Sequence, residues 1–173
     1  MDEAADSKSW GRIALLTVPA IVLLGSASGW LSNSGYGNSW FDDLAKPSFM
    51  PPGWMFGLVW PILYALLGVA LAMVLAEPPS TRRRNALGLF VGQLAFNFAW
   101  SPIFFAVHDI RLANIVIYAM IGLAAAAAGQ IFRLRTAAGL LLIPYLAWLV
   151  FAATLNSAID RLNPDAGTSL LSG

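Results

Sequence analysis

The sequence predicts an all-α membrane protein, a bundle of five transmembrane helices, from three observations. Of the 173 residues, 58% are hydrophobic and 11% are charged, whereas soluble domains carry about a quarter charged residues. The hydrophobic residues gather into five stretches, each near the roughly 20 apolar residues that a bilayer-crossing helix needs. No Asp, Glu, Lys or Arg falls inside any of them, as the cost of a charge in hydrocarbon requires.

The first helix is expected from about Ile13 to Leu31 and the second from about Trp54 to Ala76, between Pro51-Pro52 and Pro78-Pro79. The third covers about Ala86 to Ala106, the fourth about Leu112 to Ile131, and the fifth about Ala138 to Ile159. The connections after the second, third and fourth are short, which makes successive helices antiparallel neighbours. The longest connection, 32–53, is rich in Gly, Ser, Asn, Pro and aromatics. The first stretch is longer than a typical signal-peptide core and follows a net acidic tail, Met1 to Ser9. It is therefore expected to be a retained helix, and the whole chain, 1–173, one membrane domain.

Composition also narrows function. Ten Lys/Arg against nine Asp/Glu give no strong field to attract nucleic acid. With no Cys and a single His, His108, neither a thiol nucleophile nor a metal centre is expected. The basic residues Lys8, Arg12, Arg82, Arg83, Arg84, Arg133 and Arg135 fall on the N-terminal side, and Lys46, Arg111 and Arg161 on the other. That asymmetry puts the N-terminus in the cytoplasm if the host is a bacterial inner membrane. With no transit peptide visible, a bacterial membrane is favoured, the outer membrane remaining open.

Small residues mark where helix backbones approach closely in lipid. Gly25-x-x-x-Gly29 on the first helix and Gly88-x-x-x-Gly92 on the third fit that pattern. Packing within one bundle accounts for both, and the Gly88/Gly92 pair also suits a homodimer seam.

Seven Trp residues carry most of the functional signal. Trp10, Trp30 and Trp54 sit near helix ends, where indoles anchor at the headgroup level. Trp60, Trp100 and Trp148 lie deeper. Phe56, Trp60 and Tyr64 share one face of the second helix, Gln93, Asn97 and Trp100 one face of the third, and Tyr145, Trp148, Ala152, Leu155 and Asn156 one face of the fifth. Amides facing lipid would be unsatisfied, so Gln93, Asn97 and Asn156 should point inward. Aromatic walls with a few converging polar groups suit a flat, largely apolar ligand. Ordinary bundle core would show the same periodicity.

The same residues carry a resemblance. Trp40-Phe41-Asp42-Asp43-Leu44-Ala45-Lys46-Pro47 leads through Pro51-Pro52-Gly53-Trp54 to Trp60 and Leu63-Tyr64. Gln93-Leu94-Ala95-Phe96-Asn97-Phe98-Ala99-Trp100-Ser101-Pro102 and Pro144-Tyr145-Leu146-Ala147-Trp148 follow in order, the last running on to Asn156. The three blocks, spanning roughly Trp10 to Arg161, resemble the translocator protein / tryptophan-rich sensory protein (TspO/MBR) family. The resemblance implies a five-helix bundle, often a homodimer, that binds tetrapyrroles such as protoporphyrin IX and haem, with no obligatory cofactor. It implies a pocket lined by Trp60, Asn97, Trp100, Trp148 and Ala152, with Phe56, Tyr64, Phe104 and Tyr145 nearby, beneath a lid containing Trp40, Lys46 and Pro47. Asn97 and Lys46 would meet the ligand's polar groups.

The sterol-associated C-terminal pattern of the family is not reproduced, since Ser157 and Ala158 stand where an aromatic is expected; sterol binding is not expected. The blocks offer iron no Cys, Met or His ligand in the pocket, so free-base porphyrin fits at least as well as haem. Three functions follow: a tetrapyrrole-binding sensor or regulator, a light- and oxygen-dependent porphyrin-degrading enzyme using Trp60 and Trp148, or a facilitator of porphyrin or lipophile transport. No nucleophile or acid–base pair is present for hydrolytic chemistry, and no intramembrane carboxylate is present to couple ion flow.

Overall fold

The computed structural model describes residues 3–167, with side chains from Trp10 onward. Met1 and Asp2, and the side chains of the acidic tail including Lys8, lie outside the described residues. The chain folds into α1 (Glu3–Leu31), α2 (Ser39–Asp43), α3 (Gly53–Ala76), α4 (Thr81–Ser101), a π-helical turn (Pro102–Ala106), α5 (Ile110–Leu134), α6 (Thr136–Leu140) and α7 (Ile143–Leu162). Five spans are long and apolar enough to cross a membrane: α1 from Trp10, α3, α4 with its π turn, α5, and α6 with α7. Described residues contain no strand.

Local chemistry sets the helix ends. Pro52 caps α3, and Glu77 ends it just before Pro78-Pro79. The Ser80 side chain accepts the Arg83 amide at 3.1 Å, starting α4 five residues ahead of the hydrophobic stretch. Asp109 does the same for α5 through the Leu112 amide at 2.9 Å. The fifth span breaks between Leu140 and Ile143, where the hydropathy pattern predicts one helix. Pro144 has no N–H for the Leu140 carbonyl, which weakens the helix at that point.

Pro102 does similar work in α4. Its missing N–H leaves the Phe98 carbonyl without an intrahelical donor, and the Ser28 hydroxyl of α1 donates to that carbonyl at 2.6 Å. Beyond Pro102 the backbone widens, the Val107 amide bonding the Pro102 carbonyl at 2.9 Å, and the turn closes at His108 with φ +62°.

α1 packs along α3, α4 along α5, and α5 against α7. Gly68 lets α3 meet the Val18 backbone, where the Thr17 hydroxyl donates to the Gly68 carbonyl at 2.7 Å. Gly25 lies under the Tyr64 ring, where any Cβ would overlap it. Leu67, Phe90, Met120, Tyr145 and Leu149 fill the main core, and a second apolar cluster joins Phe41 and Leu44 to Phe104, Phe105, Leu155 and Ile159. Leu15, Leu16, Leu23, Tyr118 and Val150 stay exposed, as residues facing lipid do.

Candidate functional site

The second cluster forms because the long connection folds back over one end of the bundle. Asn38 organises it: its Nδ2 donates to the carbonyls of Asn33 and Phe105 at 3.1 and 3.3 Å, and its Oδ1 accepts the Phe41 amide at 3.1 Å. Phe41 drops edge-on between Tyr36, Phe104 and Phe105. Trp40 stacks on His108 with centroids 4.2 Å apart, and its Nε1 donates to the Ala166 carbonyl at 3.0 Å. The Asn163 side chain grips both sides of Ala45, accepting its amide at 2.8 Å and donating to its carbonyl at 2.9 Å. The lid is thereby fastened to the α4–α5 turn and to the segment after α7.

Beneath it lies a cavity of about 680 Å³, within the range of about 300–1,000 Å³ usual for small-molecule sites. Phe56, Trp60, Tyr64, Asn97, Trp100, Phe104 and Ala152 all border it. Trp148 is not on that border; it stands behind, edge-on to Phe56 and Trp60 at 5.9 and 6.5 Å. Its Nε1 is buried and has no hydrogen-bond partner. Tyr145 is fully buried behind Asn97.

The sequence stripes left other wall residues unassigned. Gly25, Gly29 and Trp30 come from α1, Tyr36, Phe41 and Met50 from the lid, and Met120 from α5. Met50 and Met120 correct the expectation that no thioether would face the pocket. Only the C-terminal part of the last stripe, Ala152, Leu155 and Asn156, reaches the cavity. Trp54, read as a headgroup anchor, is two-thirds exposed and also borders the mouth.

The polar groups are mostly paired with one another. Tyr64 donates to Asn97 Oδ1 at 2.8 Å, Asn97 Nδ2 to Tyr145 Oη at 3.0 Å, and Tyr145 to Gln93 Oε1 at 2.6 Å. Gln93 Nε2 is buried without a partner. Met120 Sδ lies 3.3 Å from Asn97 Nδ2 and 3.4 Å from Tyr145 Oη. Trp100 Nε1 donates to Asn156 Oδ1 at 3.2 Å and stacks on Phe104 at 5.1 Å. Among the described residues, no Asp, Glu, Lys, Arg or His borders the cavity.

Lys46 is placed in the lid, where its ammonium donates to the carbonyls of Phe41, Asp42 and Leu44 at 2.7, 3.0 and 3.1 Å. It caps the C-terminus of α2 and is not on the cavity wall; Pro47 follows it in the same lid. Gly88 lies exposed on α4 with open space around it, and Gly92 has Leu123 of α5 at ordinary contact distance.

Comparison with known proteins places this architecture. Residues 17–162 match the TspO/MBR family. The chain is 39% identical to a translocator protein of Sus scrofa over 153 residues, covering 84% of this chain and 90% of that one. It is 40% identical to a tryptophan-rich sensory protein of Cereibacter sphaeroides over 126 residues, covering 73% and 78%. A tryptophan-rich protein TspO of Archaeoglobus fulgidus is 33% identical over 147 residues, covering 85% and 94%. With five membrane-spanning helices and this match along most of its length, the chain belongs to the TspO/MBR family of integral multi-pass membrane proteins.

Proposed function

We propose that this protein is a membrane sensor or regulator that binds a free-base tetrapyrrole in the cavity beneath the lid. The observation that carries the reading is an aromatic-walled chamber of about 680 Å³ with no charged side chain on its wall among the described residues. Trp60, Trp100 and Phe104 offer ring faces and edges to a planar macrocycle. Burying carboxylates in an uncharged cavity is costly, so the propionates belong at the mouth, beside Asn33, Ser34 and Tyr36. The wall has thioethers but no imidazole or thiolate, and the Met120 sulfur already lies against Asn97 and Tyr145. That donor set favours a metal-free ring over tightly ligated haem. Relatives named tryptophan-rich sensory protein support the sensory part of the reading. The exposed Gly88 on α4 leaves room for a second copy, and a homodimer is part of the proposal.

The test is a dark titration of the purified protein with protoporphyrin IX, following Trp quenching and the Soret band. Saturable, stoichiometric binding weakened by Trp60→Phe, Asn97→Ala and Trp148→Phe supports the reading. Binding linear in porphyrin, or equal in all variants, means partition into detergent and overturns it. Trp60 on the wall with Trp148 edge-on behind it gives a second reading, light-driven oxidation of the bound ring. Illumination in oxygen with those two indoles replaced by Phe separates turnover from binding.

A further inference from the structure

The cavity is not closed off by the lid alone, because its wall is open along one side of the bundle. Ser26, Gly29 and Trp30 of α1 and Trp54, Gly57 and Pro61 of α3 all border it. Four of these six, Ser26, Trp30, Trp54 and Gly57, are at the same time exposed.

The glycines show where α1 and α3 part. A Cβ at Gly68 would strike the Val18 backbone, and one at Gly25 would strike the Tyr64 ring, so the helices are pressed together there. Toward the lid that contact ends. Among the described residues a Cβ at Gly57 would meet nothing within 4 Å, and one at Gly29 would meet the Ser34 side chain at 3.8 Å and no atom of α3. The gap closes again at Gly53, where a Cβ would strike the Tyr36 ring of the lid. A slot between α1 and α3 therefore runs from Tyr36 down to Tyr64.

Its depth follows from the indoles. Trp30 and Trp54 are 80% and 66% exposed at the facing ends of α1 and α3, where indoles settle at the headgroup level. Gly57 and Pro61 lie about 5 and about 10 Å further along α3, so the slot opens into hydrocarbon. Left empty, the chamber behind it would forfeit dispersion contacts along its wall. Water is a poor filler, because Tyr64 bonds Asn97, Asn97 bonds Tyr145, Trp100 bonds Asn156, and Asn156 bonds the Ile110 carbonyl, which leaves it few partners. The uncharged material at the slot is the bilayer interior. We propose that the slot admits an acyl chain of a membrane phospholipid, which fills the cavity while its headgroup stays outside at the level of Trp30 and Trp54. The site for that chain does not depend on the tetrapyrrole reading.

The test reconstitutes the full chain, without porphyrin, in phosphatidylcholine vesicles doped with phosphatidylcholine carrying a diazirine near the end of one acyl chain. Illumination links that chain to the residues it touches, and mass spectrometry locates the adducts. Met120 and Leu155 border the cavity and are buried from the outside of the bundle. They should carry adducts well above Leu67, which is fully buried away from the cavity. Gly57→Leu and Gly29→Leu fill the slot from its two sides. Each should return Met120 and Leu155 to the level of Leu67, while Leu23 and Val150, exposed on the outer surface, keep their adducts. Leucine is the better helix former, so both variants should fold; if one does not reconstitute, the other decides. Adducts confined to the outer surface of the wild type overturn the proposal, and so does labelling of Met120 and Leu155 that neither glycine variant diminishes.

Discussion

The Tyr145 hydroxyl donates to Gln93 Oε1 at 2.6 Å, and that bond ends a directed chain that begins at the cavity wall. Tyr64 of α3 donates a hydrogen bond to Asn97 of α4, Asn97 donates to Tyr145 of α7, and Tyr145 donates back to α4. A cavity residue is thereby held by side chains from two further helices. Asn97 links the two tyrosines, accepting from Tyr64 and donating to Tyr145. Asn97→Leu should leave the Tyr64 hydroxyl without its acceptor and remove the donor to Tyr145 Oη, lowering stability by about 1–3 kcal/mol. Gln93→Leu should cost less, because it removes the orphaned Nε2 along with the acceptor. Reversible unfolding in mixed micelles, comparing the two variants, checks the order.

Trp148 allows stability and ligand binding to be separated. Its Nε1 is buried with no partner, so Trp148→Phe removes an unsatisfied donor while retaining an aromatic ring beside Phe56 and Trp60. The thermal midpoint should change little, because lost packing is offset by relief of that donor. Porphyrin affinity should fall if the ligand uses the indole N–H or the shape it sets. A large drop in midpoint with unchanged affinity would show that Trp148 serves packing alone.

The regular parts of the site were legible because helical periodicity converts spacing into a shared face. Trp60 with Tyr64, and Asn97 with Trp100, reach the same cavity for that reason. Periodicity stops short on the last helix. Tyr145 and Trp148 share a stripe with Ala152 and Asn156, but the cavity occupies only one end of the bundle, so half of the stripe is core. Tyr36, Phe41 and Met50 lie in a connection with no period to read. Lys46 looked like a group for ligand anions, yet the nearer carbonyls of α2 take its protons. The break before Pro144 was likewise hidden in a continuous apolar run. Membrane span and helix number needed only hydropathy, because a charge in hydrocarbon is excluded whatever the packing.

Ser28 and Pro102 make a further prediction, about helix docking. Replacing Ser28 by Ala leaves the Phe98 carbonyl with neither an intrahelical donor nor the 2.6 Å hydroxyl bond from α1. Stability should fall by about 1–2 kcal/mol. The double variant Ser28→Ala, Pro102→Ala should recover part of that, since alanine in place of the proline restores an N–H for the same carbonyl. A double-mutant cycle on the unfolding free energy tests the coupling, and strictly additive losses would show that the two residues act independently.

Asn163 controls how readily the lid lifts. Its side chain meets both backbone polar groups of Ala45, while Trp40 reaches the nearby Ala166 carbonyl. These bonds tie the lid to the segment after α7, and none of these four residues borders the cavity. Asn163→Ala removes two of the three bonds without altering the wall, so it should act on opening more than on the bound state. Association and dissociation of protoporphyrin IX should both quicken, by about tenfold if opening costs about 1.4 kcal/mol less. The dissociation constant should move much less than either rate. Stopped-flow quenching of Trp fluorescence measures both rates on one sample. A change confined to dissociation would mean that Asn163 supports the bound ligand's surroundings, and unchanged rates would mean that the ligand reaches the cavity by a path the lid does not guard.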